Sequence, residues 1–269
     1  MIFPLFDDNP HRRTPWFTLL IILINVLAWL PLVPLNEIQR FDFYIHWGFI
    51  PARIAQLDNP QLVVEVLRPE GMLRQAEGKP IQPGDIERLP ADAGHIYLTL
   101  FTMMFLHGSW MHLIGNMWFL WIFGNNIEDR LGHLLFVIFY LAGGLLASGF
   151  HWYGASDSTV PAVGASGAVA AVLGAYAITY PSAKVRCFVF LIVFVTLADI
   201  PALLFLGFWF FGQLYLAWMQ DPLDPAGVAF WAHVGGFVAG MVLMPLLSLG
   251  SSPPGADWKT EADEQFRFN

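Results

Sequence analysis

The chain has one cysteine, Cys187, in 269 residues, so no intrachain disulfide can brace it. Charge is also scarce. Asp, Glu, Lys and Arg make up 13% of the sequence, roughly half the share in an ordinary soluble domain. Basic residues are fewer still, 13 against 21 acidic, for a net charge of −8. With a pI near 5.3, the chain lacks the positive footprint that nucleic-acid binding requires. No internal repeat or low-complexity tract interrupts it. What remains is apolar: 56% hydrophobic and 16% aromatic, with a mean hydropathy of +0.55. Too little charge is left to cover a soluble fold of this length, so several segments must face lipid.

Crossing a bilayer as helix takes about 20 mostly apolar residues. Six segments qualify, near 16–34, 110–127, 134–150, 163–180, 201–219 and 228–249, which predicts an all-α, six-helix membrane bundle. The first follows Arg12 and Arg13 but has no small-residue cleavage site after it, and reads as an uncleaved anchor. Residues 186–199 are also apolar but leave no room for a turn before Pro201, and are expected to be interfacial or re-entrant. The insert 36–97 is expected to be an extended outer loop, with its Pro- and Gly-rich second half exposed to solvent. Residues 251–269 read as a short polar tail after a single domain over 1–250.

Basic residues orient the bundle. With the N-terminus inside, the inner segments hold Arg12, Arg13, Arg130, Lys184, Arg186, Lys259 and Arg267, and the short outer loops 151–162 and 220–227 hold none. The six others lie in the long insert, where the positive-inside rule is weak. An N-in, C-in arrangement follows. Spans two, four and six then start on the outer side, and their first turns carry His112 and Asn116, Ser166, and His233.

Polar side chains inside a membrane are costly and usually face the bundle interior or a wet cavity. His112 and Asn116 are four apart and share a helix face. On span four, Ser166, Ala170 and Gly174 recur every fourth residue, and on span six Gly236 and Gly240 do so near His233. Such small-residue faces let helices approach closely, which would bring the His233 imidazole to the Ser166 hydroxyl. A serine becomes a nucleophile when a base within about 3 Å takes its proton. The Asn116 amide, the His112 imidazole and the Ser166 backbone N–H are candidate oxyanion donors. No acidic residue sits in these turns, so the arrangement is a Ser–His dyad.

The strings GASG (164–167), HGSWMHLIGN (107–116) and AHVGGFVAG (232–240) resemble the three signatures of the rhomboid intramembrane serine proteases, in that family's order and on its second, fourth and sixth helices. The likeness runs from DDNPHRRTPW near the start and includes EDRLG (128–132). It implies Ser166 as nucleophile, His233 as base, and His112 with Asn116 as the oxyanion-stabilising pair. His107, Gly164 and Gly167 are then structural neighbours, and Gly236 and Gly240 let helix six pack on helix four. It also implies hydrolysis, without cofactor or metal, of a peptide bond in or near a transmembrane helix of a membrane-anchored protein, close to the outer face. Span five, with its aromatic FLGFWFFGQ (205–213), would be a lateral gate.

Two departures stand out. Many rhomboids carry Trp-Arg where Leu98 and Thr99 stand, and some place a tyrosine at the position of Ala170, stacked on the catalytic histidine. Several rival readings compete with the protease. A silent relative should lack the serine or the histidine, and a transporter should show deeper polar groups or an inverted repeat. A heme or metal held by His107, His112 and His233 leaves the glycines around Ser166 unexplained. Ser148 reads as helix packing and His151 as a loop residue, while His11, His46, His95 and His133 read as solvent or interfacial. A bacterial inner membrane is the expected location.

Overall fold

The computed structural model describes residues 2–10, 12–191, 194–220 and 228–249. The expected tail 251–269 lies outside the described residues, as do His11, Lys259 and Arg267. The described chain is mostly helical: α1 (Trp16–Trp29), α2 (Glu37–Trp47), α3 (Ala55–Asp58), α4 (Pro69–Ala76), α5 (Ala93–Thr102), α6 (Trp110–Leu131), α7 (His133–Gly154), α8 (Ser166–Thr179), α9 (Ala202–Met219) and α10 (Phe230–Leu247). Five strands are β1 (Ile2–Asp7), β2 (Val64–Leu67), β3 (Ile86–Leu89), β4 (Lys184–Leu191) and β5 (Phe194–Pro201).

Each of the six apolar segments carries a helix. Three of these, α7, α9 and α10, are long and apolar enough to cross a membrane, and give the chain its membrane-protein character. Helices α1 and α8 are apolar but shorter, while α6 ends on the charged Glu128, Asp129 and Arg130.

Helix α8 forms the centre. It is apolar on every side, and every residue from Gly167 to Ala177 is buried, as expected of a helix surrounded by others. Its residues are small enough for backbones to touch. A Cβ on Gly236 would lie 2.2 Å from the Gly167 carbonyl oxygen, one on Gly240 1.9 Å from that of Ala171, and one on Gly174 2.0 Å from that of Phe237. The α8 ridge under α10 is therefore Gly167–Ala171–Gly174, one position round from the Ser166–Ala170–Gly174 face.

The EDRLG segment ties the bundle to the start of α1. Glu128 is 1% exposed, and its carboxylate accepts from the Phe17 and Thr18 amides at 3.0 and 2.7 Å and from the Thr18 hydroxyl at 2.7 Å. A carboxylate there satisfies first-turn amides and meets the positive end of the α1 dipole. His133, expected in solvent or at an interface, lies 2.5 Å from the same carboxylate. Gly132 at φ +79° makes the one-residue turn between α6 and α7, a conformation that glycine adopts without strain.

Three expectations are corrected. The 36–97 insert folds: an Asn36–Gln39 capping box opens α2, Pro69 opens α4, and β2 pairs antiparallel with β3. Val64, Val66 and Leu89 then pack with Ile45 and Ile50 in a small core of their own. Pairing between short strands far apart in sequence leaves little local trace, which hid this unit behind its prolines and glycines. The expected all-α architecture gives way at 186–199, where β4 and β5 pair antiparallel and β4 is central in a β1-β4-β5 sheet. Val185 and Cys187 point inward while Arg186, Phe188 and Phe190 point outward; this two-residue period in a β-branched and aromatic run is a strand signal. Finally, α7 continues to Gly154, so His151 is in a helix and not a loop.

Candidate active site

Ser109 caps α6 by accepting from the His112 amide at 3.1 Å. The Gly108 amide approaches His112 Nδ1 at 3.4 Å, so the ring proton resides on Nε2. That edge of the ring lies against Gly164, where a Cβ would sit 2.8 Å from His112 Nε2 and 3.4 Å from Ser166 Oγ. Gly164 has φ +139°, so its conformation and the missing side chain together let the imidazole come up beside the serine. Ser166 itself is the first residue of α8, where helix amides have no intrahelical acceptor and the dipole favours negative charge.

From α10, His233 Nε2 reaches Ser166 Oγ at 2.9 Å. Its Nδ1 lies 2.7 Å from Oε1 of Gln213 on α9. An amide oxygen only accepts, so Nδ1 carries the proton and Nε2 is free to accept from the serine hydroxyl. Trp209 lies over the imidazole with centroids 6.0 Å apart at 35°, and Phe230 meets it edge-on at 6.1 Å.

Asn116 is buried one turn after His112, and its Nδ2 has no hydrogen-bond partner among the described residues. Buried orphan donors are rare in folded proteins and need a reason. His107 is wholly buried with its ring 5.1 Å from that of His112, edge to face, and its carbonyl accepts from the Tyr44 hydroxyl at 2.6 Å, linking the folded insert to this region. All these groups lie at or beside a cavity of about 790 Å³ lined by His112, Asn116, Ser166, Trp209, Gln213 and His233. Ala170 and His151 also line it.

Four of the sequence candidates, Ser166, His233, His112 and Asn116, thus converge on one cavity. His107 packs on His112, Gly164 lets that ring come up beside Ser166, Gly167 lies against Ala147, and Gly236 and Gly240 set the α8–α10 spacing. Ser148 is elsewhere, its hydroxyl donating to the Gly144 carbonyl at 2.9 Å within α7. Among the described residues no group of three or more His, Cys, Asp or Glu is placed to hold a metal ion. Gln213 and Trp209 were missed as partners of His233. The available signal was Gln213 itself, the one amide side chain in α9.

The Rhomboid domain model matches residues 95–250, which contain every residue of the cavity's Ser, His and Asn cluster. The chain belongs to the rhomboid family. Among relatives, this rhomboid is 35% identical to presenilin-associated rhomboid-like protein A, mitochondrial, of Danio rerio over 30% of its own length and 21% of that protein. It is 32% identical to Rhomboid protein 1, mitochondrial, of Saccharomyces cerevisiae over 51% and 38% of the two chains. It is 27% identical to RHOMBOID-like protein 5 of Arabidopsis thaliana over 62% and 53%. The matches span between 21% and 53% of these relatives' lengths. Relatives with mitochondrial names lend no support to the expected bacterial inner membrane.

Proposed function

We propose that this rhomboid is an intramembrane serine protease. It cuts membrane-anchored proteins at a peptide bond in or near a transmembrane helix, and all six apolar helices cross the bilayer with both termini on the inner side. The observation that carries the reading is the 2.9 Å contact of His233 Nε2 with Ser166 Oγ beside the orphan Asn116 Nδ2.

The chemistry follows from these groups. Ser166 Oγ attacks the substrate carbonyl carbon as His233 Nε2 takes the hydroxyl proton. The carbonyl π pair moves to oxygen, and the resulting oxyanion meets His112 Nε2–H, Asn116 Nδ2–H and the Ser166 backbone N–H. Donors oriented beforehand in a water-poor site are each worth on the order of 3 kcal/mol to such a transition state. Asn116 is in this state at rest, a donor without an acceptor until the oxyanion forms. His233 then delivers its proton to the departing amine, and water attacks the acyl-enzyme by the same route in reverse.

The test is fluorophosphonate labelling of the full chain in lipid, beside Ser166→Ala and His233→Ala. Labelling lost in both variants is the expected result. Equal labelling in wild type and both variants, or none in a folded wild-type sample, would overturn the protease reading in favour of a non-cutting rhomboid.

A further inference from the structure

The alignment of the base comes from α9. Its eighteen residues, ALLFLGFWFFGQLYLAWM, are apolar or aromatic apart from Gln213. A lone amide in such a helix is costly unless it finds a partner. It finds one in His233, at 2.7 Å from Nδ1. Trp209 stands four residues earlier on the same face, and its ring limits the tilt of the imidazole. Among the described residues, no carboxylate is a hydrogen-bond partner of His233.

We infer that Gln213 is a positioning residue for the dyad, with its side-chain oxygen holding His233 in the one tautomer and orientation whose Nε2 faces Ser166. The inference rests on the protease reading. An imidazole has two neutral tautomers, and only the Nδ1–H form presents a lone pair to the serine. Without an acceptor at Nδ1, the ring is free to place its proton on Nε2, where it would donate to Ser166 Oγ and be useless as a base. A group that enforces the productive tautomer can be worth several orders of magnitude in rate even where geometry is unchanged.

This arrangement also makes the dyad depend on where α9 sits. Helix α9 is the least buried of the three helices long and apolar enough to cross a membrane, and Phe208, Phe211, Tyr215 and Trp218 are exposed on it. It is held to α10 chiefly through aromatic contacts, with Phe210 and Trp209 on Phe237 at 4.7 and 6.0 Å. A displacement of α9 away from α10 withdraws Gln213 and Trp209 from His233 together, and leaves the base without its two guides.

The experiment compares initial fluorophosphonate labelling rates of the full chain in lipid for wild type, Gln213→Leu, Gln213→Met and Gln213→Glu, with Ser166→Ala as control and thermal midpoints recorded for all. Leucine and methionine keep the bulk and remove the acceptor, whereas a glutamate carboxylate remains an acceptor. We expect labelling by the leucine and methionine variants to slow by about tenfold to a thousandfold at unchanged midpoint, with the glutamate variant recovering to within about threefold of wild type. Wild-type rates in both apolar variants, or a glutamate variant as slow as they are, would overturn the inference while leaving the protease reading intact. Labelling that persists in Ser166→Ala would instead remove the protease reading itself.

Discussion

The α8–α10 contact makes a quantitative prediction, because here backbone meets backbone with no side chain able to yield. A methyl group added at Gly240 would start 1.9 Å from the Ala171 carbonyl oxygen, and one at Gly236 2.2 Å from that of Gly167. Carbon and carbonyl oxygen settle no closer than about 3.3 Å, so Gly240→Ala must part the helices by roughly 1.4 Å and Gly236→Ala by roughly 1.1 Å. Ser166 begins α8 and His233 lies in the first turn of α10, so this separation is carried to their 2.9 Å contact and takes it beyond hydrogen-bond reach. A misplacement of about 1 Å costs on the order of a hundredfold in rate, and overpacking of this kind costs about 1–3 kcal/mol of stability. The assay is the fluorophosphonate labelling rate in lipid, with thermal midpoint alongside. Gly207→Ala on α9 is the control, since nothing lies within 4 Å of its added carbon. Gly240→Ala labelling at the wild-type rate would refute the claim that helix spacing sets the Ser–His contact.

Two further predictions concern a donor and a carboxylate. Asn116→Ala should slow labelling about a hundredfold through loss of an oxyanion donor while leaving the midpoint unchanged or raised, because its Nδ2 has no partner to lose; a large drop in midpoint with normal labelling would contradict this. Asp7 accepts from the Tyr176 hydroxyl and from Asn126 Nδ2 at 2.9 Å, and burial raises its carboxyl from 3.8 to about 6. The folded protein therefore binds more protons between those values, so the stability is fully present below the ordinary carboxylate range and is lost as pH rises through about 6. The span is worth roughly 3 kcal/mol. Thermal midpoints should fall from pH 4 to 7 in wild type and be flatter in Asp7→Asn; parallel profiles would rule Asp7 out as the cause.

The lipid-facing character, the helical segments and the polar side chains that meet at the cavity were legible in the sequence. Apolar runs near the length of a bilayer core are a local property, and so is the small-residue spacing that lets α10 settle on α8. Ser166, His112, Asn116 and His233 stood out because each is polar in an apolar stretch, where a polar group needs a reason. Tertiary structure alone decided what no local pattern encodes. Strands β2 and β3 need each other to satisfy their backbone groups, so the insert read as loop until they were paired. Residues 186–199 were ambiguous as an apolar run until β1 supplied an edge more than 170 residues away in sequence. Gln213 lay within a stretch read as a bulky aromatic surface, and its aim at His233 depends on the rotation of α9 against α10. Which face of a helix turns inward is set by the packing of all its neighbours, and so the third partner of the dyad emerged only when the helices were assembled.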